Sequence, residues 1–156
     1  MTNDQQEARA AVVTTPTERE IHVEREFDAP RDRVFAVMTD PALIPEWWGN
    51  GTVVEEMDVR VGGAWRFSAE GGASFYGEYR EITPPERLVQ TFESAYAPGR
   101  VHLQTSEFED LGERTKLTTT FVFDTTEERD QVLQYGGEAG MNQTYARLDA
   151  LLARMS

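Results

Sequence analysis

The chain contains no cysteine, a single lysine (Lys116) and only two histidines in its 156 residues. Without cysteine there is no disulfide, no thiol nucleophile and no thiolate metal ligand, a pattern that accords with a reducing compartment. His22 and His102 are far apart in sequence and fall short of the ligand set a metal needs. Both read as surface residues on the polar faces of their strands. No apolar run approaches the roughly 20 residues of a membrane helix. Residues 1–17 carry Asp4 and Glu7 and have no continuous apolar segment, so they do not read as a signal peptide. A cytoplasmic protein with no membrane partner is expected. The motifs G-x-S-x-G, G-x-x-x-x-G-K, G-x-G-x-x-G and H-E-x-x-H are missing, and no cofactor or metal is expected. Positive charge is also scarce. With 28 acidic and 15 basic residues the net charge is −13, which repels nucleic-acid phosphates and argues against nucleic acid as a partner.

What is present reads as one domain over residues 19–156, preceded by a polar, aperiodic leader at 1–18 expected to be disordered. In 21–27, Ile21, Val23, Arg25 and Phe27 alternate with polar residues, giving a strand with Arg25 on its apolar face. Pro30 suits the first turn of a helix. Val34, Phe35, Val37 and Met38 supply its apolar stripe, and Asp40-Pro41 stops it. A second short helix runs from about Pro41 to Trp47. From Thr52 the period is two, and strands alternate with turns at Gly62-Gly63, Gly71-Gly72, Pro84-Pro85, Pro98-Gly99 and Asp110-Leu111-Gly112. Such short strands joined by tight turns make an antiparallel sheet. Thr125 with Glu128 forms a capping box, and one helix is expected from there to about Met155, roughly 45 Å long. Its expected buried stripe includes Val132, Leu133, Gly140, Thr144, Leu148, Leu151 and Leu152. The expected class is α+β, a curved antiparallel sheet of six or seven strands wrapped around a long C-terminal helix, with two short helices after the first strand.

A sheet covered by helices can enclose a cavity, and such cavities are mostly apolar with a few placed polar groups. Candidate lining residues are Trp65, Phe67, Phe75, Phe92, Phe121, Met141 and Tyr145; core packing is the alternative for each. Trp47 and Trp48 divide between packing and the cavity mouth. Arg25 either holds a ligand carboxylate or forms an internal salt bridge. Gly136, Gly137 and Gly140 each cost about 1 kcal/mol in a helix interior. They either leave space for a ligand or mark a break. An acid/base group would come from Arg25, Tyr76, Tyr79, Tyr145 or a carboxylate, and no convergent set stands out. Glu55-Glu56 and the Glu107/Glu109 pair read as solvated strand edges.

Several segments occur in an order that resembles one family: Arg25 to Pro30, Thr39-Asp40-Pro41, Trp47-Trp48-Gly49, Val61-Gly62-Gly63, Gly77-Glu78, Pro84 to Leu88, and Gly140…Thr144…Leu148…Leu151-Leu152. The chain resembles a stand-alone bacterial member of the activator of heat-shock protein 90 ATPase homologue 1-like family, within the START-like, Bet v 1-like helix-grip (SRPBCC) superfamily. The resemblance covers about residues 19–155. It implies a helix-grip fold and a cavity for a small hydrophobic or amphipathic molecule. The residues expected to bind that molecule are Arg25, Trp47, Trp48, Trp65, Phe67, Phe75, Phe92, Phe121, Gly137, Met141 and Tyr145. A cyclase/dehydratase or hydrolase using the same cavity is the alternative. A stress-response co-chaperone of heat-shock protein 90 is a further one, weakened by the lack of the chaperone-binding domain of eukaryotic activators. Two departures fall where the cavity would open or be lined: Asn50 stands where many relatives have proline, and Met141 where they often have tryptophan.

Overall fold

The computed structural model describes residues 11–49, 51–69, 71–134 and 137–155. Eight antiparallel strands form one sheet in the order β1-β2-β8-β7-β6-β5-β4-β3, somewhat more strands than the turn signals imply. These are β1 (Val12–Thr14), β2 (Glu20–Phe27), β3 (Val53–Met57), β4 (Ala64–Ser68), β5 (Ser74–Thr83), β6 (Arg87–Ser94), β7 (His102–Asp110) and β8 (Thr115–Val122). Among the described residues four helices cover the sheet: α1 (Arg31–Thr39), α2 (Ile44–Trp47), α3 (Thr126–Gln134) and α4 (Gly137–Met155).

β1 overturns part of the leader expectation. Val12–Thr14 pairs with His22–Glu24 of β2, and Ala11 donates its N–H to Asn142 Oδ1 at 3.0 Å. A three-residue strand is too short to show periodicity, so its pairing comes from β2. Residues 1–10 lie outside the described residues. Where the expected single C-terminal helix would run, two helices stand. The Thr125 hydroxyl caps α3 through the Glu128 N–H at 3.1 Å. The Gly136 reading lies outside the described residues.

The alternation in β2 puts Ile21, Val23, Arg25 and Phe27 inside, all buried. α1 starts at Pro30, whose carbonyl accepts the N–H groups of Arg33 and Val34, and buries Val34, Phe35 and Val37. Asp40, before Pro41, is extended (φ −100°, ψ 114°) and ends the helix. α2 buries Ile44 and Trp47. Phe35 meets Phe108 of β7 edge-on, with ring centroids 5.2 Å apart. α4 buries Tyr145, Leu148, Leu151 and Leu152, each leucine contributing about 2 kcal/mol of apolar transfer. At the opposite edge, β3 exposes Glu55 and Glu56, charges that discourage pairing with another sheet edge.

Candidate functional site

Each inward-facing strand position points at the helices, so the sheet supplies the floor of whatever space they leave. β6 contributes Phe92, β7 contributes His102 and Gln104, β8 contributes Thr119 and Phe121, and Phe75 enters from β5. Met38, Trp47 and Trp48 stand at one side, with Gly140, Met141, Thr144 and Tyr145 of α4 above. They line an inner compartment of about 390 Å³ that is partly open to solvent. An outer compartment of about 590 Å³ adds Ser94, Tyr96, Ala97, Arg100, Glu128 and Gln131. The two share Phe75, Phe92, His102, Phe123 and Val132, so they meet at those side chains. Among the described residues no Asp, Glu, Lys or Arg lines the inner compartment.

Ring packing shapes the floor. Trp48 stands edge-on to Phe67 at 5.2 Å and tilted against Phe75 at 5.3 Å. Phe92 packs on Phe75 at 5.5 Å and stacks with His102 at 4.8 Å. These spacings are those of favourable aromatic pairs. The rim is fixed from the helix side: Arg147 of α4 donates Nε–H to the Trp47 carbonyl at 3.0 Å and a second N–H to that of Trp48 at 3.4 Å. A four-residue helix leaves its last carbonyls free, and Arg147 occupies two of them. Trp47 Nε1–H reaches the Val37 carbonyl at 3.4 Å, joining α2 to α1.

His102 corrects the surface expectation. It is half-buried between Phe92 and Phe123, the latter 4.7 Å away, and faces both compartments. Its inward parity is set farther along β7 by Ser106 and Phe108, both buried, while Leu103, the apolar-looking neighbour, is exposed. Burial pushes its pKa down to about 4, so the imidazole is neutral near pH 7. His22 does face outward, with Nδ1 3.5 Å from Thr14 Oγ1. At the inner end, Tyr145 OH and Thr119 Oγ1 lie 3.3 Å apart. Burial raises the Tyr145 pKa; the Thr119 hydrogen bond and the Arg25 charge oppose that rise.

A family model described as activator of Hsp90 ATPase homolog 1-like protein matches residues 28–153. The chain belongs to that family. Its helix-grip architecture recurs in solved bacterial proteins. A Rhodobacter sphaeroides protein is 23% identical, with a TM-score of 0.83 over 94% of this chain and 99% of its own. One from Arthrobacter aurescens is 25% identical, with a TM-score of 0.80 over 92% and 91%. One from Chromobacterium violaceum is 28% identical, with a TM-score of 0.69 over 87% and 98%. A comparison with curated proteins finds no match.

Within this family fold, the structure sorts the expected site residues. Trp47, Trp48, Phe75, Phe92, Phe121, Met141 and Tyr145 come together on the inner compartment. Trp47 is the more buried of the two tryptophans, but both reach the lining. Trp65 and Phe67 lie on the same sheet face yet sit in solid core. The indole of Trp65 donates to the Thr91 carbonyl at 3.2 Å and lies across Gly77, where a Cβ would come within 2.8 Å of Nε1. Arg25 is buried but engaged elsewhere: it donates to the Glu26 carbonyl at 2.7 Å, pairs with Asp149 at 3.7 Å and stacks on Phe27. The internal salt bridge is the reading that fits. Gly137 does not line the cavity either; a Cβ there would meet the Val132 carbonyl oxygen at 2.5 Å, so close approach of α3 requires the glycine. Reasoning from sequence missed Met38, Gln104, Thr119, Phe123 and Arg147 along with His102. Only correct strand parity could have found His102 and Gln104.

Among the described residues no helix is long and apolar enough to cross a membrane, and no cluster of three or more metal-ligating side chains occurs.

Proposed function

We propose that the protein binds a small, uncharged and predominantly apolar molecule in the inner compartment and does not transform it. The observation that carries this reading is a cavity of about 390 Å³ walled by seven Trp, Phe and Tyr rings with no charged lining residue among those described. That volume lies within the usual range for small-molecule sites, and a charge buried there would be unpaired. The family fold, which places a helix over a concave sheet, supports it. The acid/base candidates do not converge. Tyr76 bonds Glu93 at 3.0 Å away from the lining, Arg25 is paired with Asp149, and Tyr79 is buried without reaching the cavity. Of these four named candidates, Tyr145 is the one on the lining.

The test is a fluorescence titration with N-phenylnaphthylamine, an uncharged apolar probe, alongside native mass spectrometry of protein purified from its own host. Saturable enhancement at one probe per chain is expected, together with a co-purifying small molecule. A titration without saturation would sink the reading.

A further inference from the structure

We propose that His102 is the specificity-determining residue of this cavity, the hydrogen-bonding anchor for a hydroxyl group on an uncharged apolar ligand. The proposal rests on the binding reading above and names the chemical class that the site takes.

Four observations carry it. First, the side chain stands at the junction of the two compartments, so a molecule in either one, or across both, meets it. Second, its ring nitrogens have no hydrogen-bond partner among the described residues, and neither does the amide of Gln104, two positions along the same face of β7. Third, phenyl rings from β6 and from just past the end of β8 pack on the imidazole, with Phe92 stacked at 28° and Phe123 tilted at 37°. This packing fixes the plane in which the nitrogens can bond. Fourth, the imidazole is neutral near pH 7, so it offers one N–H donor and one lone-pair acceptor.

A purely packing residue at this place would be phenylalanine, which fills the same ring slot without a polar group to desolvate. The imidazole is half-buried, and a ligand that displaces water from it leaves it unsatisfied unless the ligand brings a hydroxyl to bond it. A hydroxyl suits the site whichever tautomer is present, because it can accept from one nitrogen or donate to the other. Within the inner compartment a carboxylate does not, since the neutral ring lacks a compensating charge, Arg25 is already paired with Asp149, and Arg100 borders only the outer compartment.

The test uses two probes of nearly the same shape, para-phenylphenol and para-methylbiphenyl, each displacing N-phenylnaphthylamine from the full chain at pH 7. After correction for their water–alkane partition, wild type should prefer the phenol by about tenfold, the scale of one hydrogen bond made in place of an unsatisfied group. His102→Phe should lose that preference while still binding para-methylbiphenyl, which shows that the cavity is intact. His102→Asn, which keeps a donor and an acceptor, should recover part of it. A ¹⁵N shift of one imidazole nitrogen on adding the phenol, and none on adding the methyl analogue, would locate the bond. Equal affinities for both probes in wild type, or an unchanged preference in His102→Phe, would overturn the proposal and leave the binding reading standing. If neither probe displaces N-phenylnaphthylamine although it binds, the hydroxyl-anchor proposal fails. If N-phenylnaphthylamine itself does not bind, the binding reading fails first.

Discussion

Along α4 the inward positions change character at Tyr145. Toward the C-terminus, Leu148, Leu151 and Leu152 are buried, and on the same stretch Asp149 pairs with Arg25 of β2. Toward the N-terminus, Gly140, Met141 and Thr144 face open space instead, and α3, farther along the same cover, buries no residue. The same sheet face lies beneath both halves. The hollow end is therefore made by subtraction on the helix side, where small or flexible side chains replace leucines. The sheet side supplies rings throughout, packed solid around Trp65 and lining space around Phe92 and Phe121.

That contrast can be broken most directly by truncation. Leu148 is fully buried, and Leu148→Ala should cost about 3–4 kcal/mol, the transfer term plus a cavity that close neighbours cannot fill. Met141 already borders empty space, so Met141→Ala should cost less than about 1 kcal/mol, since few packed contacts are lost. Urea unfolding of the two variants measures both. Equal losses would mean that the N-terminal half of α4 is packed as tightly as the C-terminal half.

A second, smaller effect belongs to the hollow end alone. The His102 pKa falls from 6.5 to about 4 on burial, so the folded protein binds fewer protons there than the unfolded chain does. Its contribution is fully favourable above about pH 6.5 and is lost as pH falls toward 4. The loss is roughly 2–3 kcal/mol, an upper figure for a half-buried ring. His102→Phe lacks this term, so the stability gap between variant and wild type should widen in the variant's favour between pH 6.5 and pH 4. A gap that stays constant over that range would put the imidazole back in water.

How much of this was legible depends on what a sequence pattern encodes. Alternation in β2, the Pro30 and Asp40-Pro41 punctuation and the Thr125–Glu128 cap follow from local backbone physics, and each appears in the structure where it was expected. The residues of β1 carry no such pattern, because a three-residue edge strand is held by its partner. Alternation also gives the side of a sheet and not the depth. Trp65 and Phe121 share an inward face, yet one is sealed beneath Gly77 and the other borders the cavity, a difference set by strand position under the helices. His102 failed for a related reason. Leu103 is apolar yet exposed, and the parity of β7 is set by Ser106 and Phe108 farther along the strand, with His102 opposite Phe92. Arg147, 100 residues from Trp47 in sequence, clamps Trp47 and Trp48 through backbone carbonyls that no sequence pattern reveals.

The smallest effect is the one that bears most on use. Gly140 lies within α4, and a Cβ added there would meet nothing within 4 Å. With no clash to offset it, Gly140→Ala should stabilise the protein by about 1 kcal/mol through helix propensity alone, read as a higher urea midpoint. Gly140→Leu should keep most of that gain while filling part of the inner compartment, and so should weaken N-phenylnaphthylamine binding. A residue that lowers stability where a better helix former fits is informative, because ordinary packing gives no reason for it. If Gly140→Leu gained stability and bound the probe as wild type does, the space beneath α4 would be incidental. If stability rises while binding falls, the missing side chain is what the cavity is made of.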